Sequence, residues 1–560
     1  MCSKRAKIED DNKGSGSGVA TSHLCHAKLP PEIWSEIWSL LASLEDRIAI
    51  SRVCTEWRAI ALSDHQLWAH LSVHLESLLR HDIADEDERA RLSTKEMTAA
   101  ARWLRNAERA LDRTGRTALI TLDIRVDHHK VLAIWLTQLC ALLNLHASRI
   151  LRLSLHLDHA HSMKFVLYDL GSPMPMLRVL GLTMSRRSID ADDVPFALFP
   201  NLKEFAGLPC SFKFFKPSQS PAISQTLGTI RTVRGDVETC ADLTALLRAF
   251  PACKSLDLRI LSASKWEDPD EDETNHYRTC FEGLDRLDLT WAWNSYTKTR
   301  AAIPTTSGRR PPFIFIGLHS SLESDASDPE EEVCMGIEDA FCDLKPHSSI
   351  TLRLEPCEPA WDYHDTRPGH QDKMPICVTV YDQESGQTRQ VAVQYVMLCQ
   401  RVGPMKVLGA RLYESRSVIT SLTIPWNLMN ILMPQLTEKG MRTITQLTLI
   451  VNGPLRSIDY VRWVFGEEEN FDWPLLPALR HVTLKSPYKT VRAAYELSPS
   501  IFRSAVEKLV PPPAKLETLS LHHVCTGYRE HPWNWNSVRD LATRVYGLHI
   551  YAEDSSTDHV

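Results

Sequence analysis

Two hydrophobic rhythms divide the chain. Over residues 29–68, apolar positions return every three or four residues, at Ile33, Ile37, Leu40, Leu41 and Leu44, then Ile48, Ile50, Val53, Cys54 and Trp57, and finally Ile60, Ala61, Leu67 and Trp68. Such spacing predicts three short helices. Pro30 and Pro31 suit the opening turn of the first, and Glu32 and Glu36 sit where the helix dipole favours acid. So small a unit cannot hide this many apolar side chains, and the surplus predicts an interface. Residues 73–80 read as an extension of the last short helix and residues 85–88 as a solvated break. Met97, Ala100, Ala101, Leu104, Ala107, Ala110 and Leu111 predict an amphipathic helix stopped at Gly115.

After residue 116 the rhythm becomes apolar, two others, apolar, one other, apolar. It occurs at Leu119-Leu122-Ile124, Ile150-Leu153-Leu155, Leu177-Leu180-Leu182, Cys253-Leu256-Leu258 and Leu284-Leu287-Leu289. It returns at Ile419-Leu422-Ile424, Ile444-Leu447-Leu449, Leu479-Val482-Leu484, Leu516-Leu519-Leu521 and Val545-Leu548-Ile550. Weaker copies are Leu202-Phe205-Leu208, Ile230-Val233 and Ile350-Leu352-Leu354. The closing alternation suits a short strand with one buried face. Helical periodicity lies between several copies, as at Trp135, Leu136, Leu139, Leu142 and Leu143, or Cys240, Leu243, Leu246, Leu247 and Phe250. Strand then helix, repeated, predicts an α/β fold with a parallel sheet. Met174-Pro175, Phe199-Pro200, Phe250-Pro251 and Leu476-Pro477 precede strands, where the proline ends a helix and turns the chain.

Two acidic stretches interrupt this rhythm. Residues 261–276 carry Glu267, Asp268, Asp270, Glu271, Asp272 and Glu273, and residues 297–338 carry Glu323, Asp325, Asp328, Glu330, Glu331 and Glu332. Both read as inserted loops, either solvated linkers or lures for a basic substrate segment. Residues 379–393, with Asp382-Gln383-Glu384-Ser385-Gly386 between alternating apolar runs, read as a β-hairpin inserted into the repeat.

The 560 residues allow more than one domain or one elongated repeat domain. Against 63 basic residues stand 70 acidic ones, a net charge of −7, so no global basic field favours nucleic acid. The 14 cysteines are scattered, many inside apolar patterns, as reduced intracellular thiols are. The N-terminal residues hold no apolar run of the secretory kind, and no stretch predicts a membrane span. Lys4-Arg5-Ala6-Lys7 reads as a nuclear import signal or a disordered basic tip, giving a cytoplasmic or nuclear expectation.

The residues Leu29-Pro30-Pro31-Glu32-Ile33-Trp34, Ile37-Trp38, Leu41, Val53-Cys54-Thr55-Glu56-Trp57-Arg58 and Leu67-Trp68 resemble an F-box, L-P-x-E-[IL]…V-C-x-x-W-R…L-W, over residues 28–74. The resemblance implies docking onto the Skp-type adaptor of a cullin-RING ubiquitin ligase, with the rest of the chain selecting the protein to be ubiquitinated. It implies adaptor contacts at Leu29, Pro30, Pro31, Ile33, Ile37, Leu41, Val53, Cys54, Trp57 and Trp68. The competing reading makes Trp57 and Trp68 core of a larger helical domain.

The later units resemble irregular leucine-rich repeats of the kind that follows many fungal F-boxes, over residues 116–552. Their spacing is roughly 23 to 37 residues, and the Asn or Cys that normally follows the strand is mostly missing. This resemblance implies a curved solenoid whose concave strand face binds ligand; the competing reading is an ordinary α/β domain. The expected order is a disordered tail over 1–27, the F-box over 28–74, a helical linker over 75–115, the solenoid, and a disordered tail over 553–560.

Motifs of catalysis are missing: there is no G-x-S-x-G, no G-x-x-x-x-G-K-[ST] and no H-E-x-x-H. His156, Asp158, His159 and His161 make the best metal candidate, but they follow a predicted strand on a surface turn. His23, Cys25 and His26 lie in the tail, and Cys334 and Cys342 lack a second close pair. The expectation is therefore a subunit with no catalytic residue, metal or cofactor, which acts by bringing a substrate lysine near a loaded conjugating enzyme. Its rivals are a leucine-rich-repeat scaffold whose F-box-like helices only cap the solenoid, and a hydrolase with an unrecognised Ser or Cys.

Overall fold

The computed structural model describes residues 29–41, 43–76, 86–127, 133–184, 189–208, 210–211, 221–261, 266, 271–292, 296, 300, 310–319, 329–356, 375–394, 403–425, 428–436, 438–450, 475–485, 509–510, 515–522 and 545–551. The expected tails and Lys4-Arg5-Ala6-Lys7 lie outside these residues. The chain forms two compact units, Met1–Asp127 and His128–Val560.

In the first unit four short helices, α1 (Pro31–Ser39), α2 (Leu44–Ile50), α3 (Thr55–Ser63) and α4 (His65–Ala69), precede strand β1 (His70–Glu76). Helix α5 (Glu86–Arg113) and strand β2 (Ile120–Asp127) follow. Two sequence expectations are corrected here. Of the residues 73–80 expected to extend the last short helix, 73–76 are strand, because β1 pairs in parallel with β2 as far as Glu76, and 77–80 lie outside the described residues. Residues 86–88 are not a break but open α5, where acid is favoured by the helix dipole. Trp103, Leu104, Ala107, Ala110 and Leu111 form its buried stripe, and the chain turns away at Gly115 with φ +68°. The strand expected to begin the repeats, β2, is part of this first unit.

The second unit is built on a large, mostly parallel sheet. Strands β3 (Ile150–Leu157), β4 (Val179–Thr183), β6 (Glu204–Leu208), β8 (Thr232–Val237), β9 (Ser255–Ile260), β10 (Arg286–Ala292) and β11 (Phe313–His319) lie side by side in parallel. A separate short pair joins β5 (Ile189–Asp190) to β7 (Cys210–Ser211). A second parallel run joins β12 (Ser349–Pro356), β15 (Val418–Pro425), β16 (Gln446–Ile450), β17 (His481–Lys485), β18 (Leu516–His522) and β19 (Val545–Tyr551). Between the runs sits the hairpin of β13 (Pro375–Asp382) and β14 (Thr388–Gln394): β14 is parallel to β11, and β13 is antiparallel to both β14 and β12. The hairpin was expected as an insert that breaks the repeat; its strands instead carry the sheet across. Its turn places Gly386 at φ +69°, and buried Asp382 accepts hydrogen bonds from the backbone N–H of Glu384 and Ser385 at 2.9 and 3.3 Å.

The motif leucines stack in register. Leu153, Leu180, Phe205, Val233, Leu256, Leu287 and Ile314 are successive cross-strand partners, all buried. Leu352, Leu422, Leu447, Val482 and Leu519 do the same in the second run. Full burial of such a side chain contributes about 1.5–3 kcal/mol before entropy is subtracted. Ahead of these strands the first motif residue donates its N–H to the carbonyl three residues back, as in Leu177 to Met174, Leu202 to Phe199, Cys253 to Phe250 and Leu479 to Leu476. Proline at the second position of each turn has the required φ already set.

Both acidic stretches are corrected in part. Within residues 261–276, Glu271–His276 belong to the helix Glu271–Glu282, which buries Tyr277 and Phe281. Within residues 297–338 lie β11 and most of the helix Pro329–Phe341, which buries Val333, Ile337, Ala340 and Phe341. The remaining acidic positions of the first stretch, Glu267, Asp268 and Asp270, and Glu323, Asp325 and Asp328 of the second, lie outside the described residues.

Candidate functional site

The surplus of apolar side chains predicted in the first unit directs attention to its helices. Pro30 precedes α1 and Pro31 occupies its first turn beside Glu32. Ser43 opens α2 by accepting from the N–H of Asp46 at 3.0 Å, the Sγ of Cys54 accepts from the N–H of Trp57 at 3.4 Å to open α3, and Asp64 caps α4 through Gln66 and Leu67. These caps fix where each short helix begins.

An aromatic cluster ties α1 to α3. The ring of Trp57 lies 4.9 Å from that of Trp34 and 5.3 Å from that of Trp38, which stack on one another at 5.8 Å. Trp38 is buried and Trp57 half-buried. Below them Trp68 is fully buried, donates its indole N–H to the carbonyl of Ala61 at 2.6 Å, and carries the Arg113 guanidinium 4.5 Å above its ring. Buried Arg47 bonds the carbonyls of Leu41 (2.9 and 2.6 Å), Leu67 (2.9 Å) and His70, so one cation joins the α1–α2 link to α4 and β1. Burial lowers the Arg47 pKa, and these carbonyl contacts offset the cost of its desolvation.

What this frame leaves outside is apolar. Leu29, Ile33 and Ile37 are exposed to about two-fifths, Val53 to 62% and Leu40 to 83%. Pro30, Pro31 and Cys54 are also exposed, and Leu41 is partly so. Three- and four-residue spacing places Ile33 and Ile37 on one edge of α1 with Leu29 and Pro30 at its head. Exposed branched apolar side chains along a helix edge are what a protein partner covers.

Residues 26–74 match an F-box-like family. They form an F-box-like domain. No curated protein matches the chain. F-box domains typically bind Skp-type adaptors, and F-box proteins are generally non-catalytic adaptors. Of the ten contacts expected from sequence, the F-box-like domain exposes Leu29, Pro30, Pro31, Ile33, Ile37, Val53 and Cys54 and leaves Leu41 and Trp57 partly accessible. Trp68 differs from the other nine: it is 0% exposed and hydrogen-bonded to the carbonyl of Ala61 inside the unit. Two features escaped the sequence reading. Leu40 and Leu62 are exposed although the first belongs to the same apolar rhythm as buried residues, and Arg47 is buried with no pattern to mark it.

The metal candidate of the second unit is spread over two elements. His156 lies in β3, buried Asp158 follows that strand, His159 immediately precedes the helix Ala160–Asp169 and His161 lies in its first turn. Among the described residues no group of three or more His, Cys, Asp or Glu side chains is arranged to hold a metal ion, and no helix is long and apolar enough to cross a membrane.

Proposed function

We propose that the chain is the substrate-recognition subunit of an SCF-type cullin-RING ubiquitin ligase, with the F-box-like domain seated on a Skp-type adaptor and the second unit holding the target protein. The observation that carries this reading is the exposure of Leu29, Ile33 and Ile37 along the edge of α1, and of Val53 in the turn before α3, on a domain whose own core, around Trp38 and Trp68, is already closed. Apolar side chains in that position have no internal work to do, whereas desolvating them against a partner stabilises a complex.

Further support for a receptor role comes from the second unit, which we read as leucine-rich-repeat-like from about residue 128 onward. Its stacked leucine ladders, repeated turns before the strands, and alternation of strand with helix fit a stack of similar units, each contacting its neighbours. Such a unit offers a long strand face for a protein ligand. The subunit itself then needs no nucleophile: it raises the effective concentration of a target lysine near the loaded conjugating enzyme.

Affinity purification of the full chain and of a form lacking residues 1–74 tests both halves. The full chain is expected to bring down a Skp-type adaptor with a cullin, and the shortened form to lose both while keeping its other partners. Equal adaptor recovery from the two forms excludes the ligase reading.

A further inference from the structure

Two exposed apolar positions of the first unit have exposed arginines beside them. Val53, 62% exposed, follows Arg52, and Leu62, 40% exposed, lies one turn beyond Arg58 on the same side of α3. Arg58 donates from Nε to the carbonyl of Ser51 at 3.1 Å, which brings its guanidinium to the turn that carries Arg52. Two more arginines arrive from the end of α5. Ala61, in the turn after Arg58, accepts the indole N–H of Trp68 at 2.6 Å, and the guanidinium of Arg113 lies 4.5 Å over that ring. Arg109 stands one turn before Arg113 on the same side of α5. The carbonyl of Arg113 meets Nδ1 of His65 at 2.7 Å, fixing this end of α5 against the start of α4.

Arg52, Arg58 and Arg109 are exposed and Arg113 is partly so. Among the described residues no carboxylate comes within ion-pair distance of any of the four, although Glu56 shares α3 and Glu108 and Asp112 share α5 with them. In the second unit, by contrast, Arg259, Arg300 and Arg389 each hold an aspartate. The four act on one another instead. Burial lowers the Arg113 pKa, and the charges of Arg109, Arg52 and Arg58 lower it further. Fully buried Trp68 holds the flat face of this guanidinium, which leaves the N–H edges, the part that matches a carboxylate, for another group.

Exposed apolar side chains call for a protein surface, and the arginines set its charge. We infer that Arg52, Arg58, Arg109 and Arg113 receive a run of aspartate or glutamate side chains on the protein that covers Val53 and Leu62. The inference rests on the receptor reading above, in which that protein is the Skp-type adaptor, and names the chemistry of the adaptor segment that meets α3 and α5. The four arginines come from three elements, and Arg109 and Arg113 alone are about 6 Å apart along the helix axis. Such a spread suits successive carboxylates better than one phosphate. Nucleic acid fits less well, because Trp57 packs on Trp34 and Trp38 and Trp68 is buried under Arg113, so neither ring is open to stack a base.

The test uses the full-length chain, a purified Skp-type adaptor and two peptides, hexaglutamate and hexalysine. Arg52→Glu/Arg109→Glu reverses two charges whose side chains bond to nothing else among the described residues, so the melting temperature is expected to hold or rise slightly. Adaptor affinity is expected to fall at least tenfold at low salt, and the difference to fade toward about 1 M salt, where charges are screened within about 3 Å. Arg52→Lys/Arg109→Lys is expected to stay within threefold of the unaltered chain, and hexaglutamate but not hexalysine to displace the adaptor. A control of equal charge change at two exposed lysines of the second unit, Lys345→Glu/Lys406→Glu, is expected to bind as the unaltered chain does. Unchanged adaptor affinity in Arg52→Glu/Arg109→Glu, or an equal loss in the control, overturns this inference and leaves the ligase reading standing. Hexaglutamate binding that depends on these arginines, in a chain that takes no adaptor, overturns the ligase reading alone; a chain that binds neither overturns both. Should the reversed charges lower the melting temperature, Arg52→Gln/Arg109→Gln decides, with a loss of affinity below threefold counting against the inference.

Discussion

Arg389 stands between Ile314 of β11 and Val380 of β13 in the sheet register, where both neighbours are apolar, and its guanidinium holds both oxygens of Asp343 at 3.0 and 2.6 Å. Its remaining donors reach the carbonyls of Pro311 and Pro312, each at 2.9 Å, while Arg310 lies 3.0 Å from the same carboxylate. Both arginines are buried, Arg389 to within 1% of complete. The pair therefore closes the place where the hairpin joins the first parallel run.

Removing the anion alone leaves two buried cations sharing no counter-charge. Asp343→Ala is expected to cost about 3–5 kcal/mol of folding free energy, measured as a lowered urea midpoint for the second unit. Arg389→Met, which keeps Arg310 on Asp343, is expected to cost clearly less.

Acid titration should show two opposed effects. Burial alone pushes the Asp343 carboxyl up, but the hydrogen bond from Arg389 and the charges of Arg310 and Arg389 outweigh it and hold the group below its ordinary 3.8. A depressed carboxyl contributes stability that is complete above the unfolded value and lost as pH falls below it. Asp236, Asp257 and Asp288 are raised by burial, so the folded chain binds their protons more tightly than the unfolded one. Their effect has the other sign: stability rises as pH falls from neutral toward the carboxylate range. Melting temperature is expected to climb and then drop between pH 7 and pH 3. Asp257→Asn/Asp288→Asn is expected to flatten the climb, and a drop unaffected by Asp343→Asn would remove Asp343 as its cause.

Exposed and buried apolar positions in the F-box-like domain lead to different expectations. Val53→Asp with Ile33→Asp, both at exposed positions, is expected to abolish adaptor co-purification while leaving the melting temperature within a degree or two. Trp57→Ala with Pro30→Ala is expected to lose the adaptor as well, with some loss of stability because Trp57 packs on Trp34 and Trp38. Trp68→Ala is expected to cost about 3–5 kcal/mol and to lose the adaptor only through unfolding. Adaptor binding that survives the paired aspartates removes the exposed row from the interface.

A third class of residue in that domain is the clamp. Arg47→Met keeps the bulk of the side chain but strips the donors from the carbonyls of Leu41, Leu67 and His70. Bonds from a charged donor contribute about 1.5–3 kcal/mol each, so a loss of roughly 3 kcal/mol or more is expected. Limited proteolysis of the first unit would register it as faster cleavage.

Much of this molecule was legible in its sequence. Period-two alternation marked the strands because those positions are buried, and the 382–386 turn announced its hairpin through Asp382 and Gly386. The acidic stretches misled because charge was weighed without the pattern behind it. Glu271-Asp272-Glu273 and Glu330-Glu331-Glu332 fill the first turns of helices, and Tyr277, Phe281, Val333 and Ile337 carry the helical spacing just beyond. Residues 73–76 could be read in either period from so few apolar positions, and the parallel partner β2 decides for strand. Arg47 and Arg389 were invisible, since a buried cation is recognisable only from the carbonyls or carboxylate that surround it. Trp68 belongs to the F-box pattern for its place in the core, which a motif does not distinguish from a place on the surface.

The reversed strand β13 also has a bearing on how the sheet comes into being. Neighbouring parallel strands must close a loop of tens of residues before any bond between them forms, whereas β13 and β14 meet across a few residues and pair on the microsecond scale. The hairpin is thus the natural seed, from which ordering spreads outward through β11 on one side and β12 on the other. Pulse-labelling of amide hydrogens during refolding should find residues 375–394 protected before those of β3 or β18.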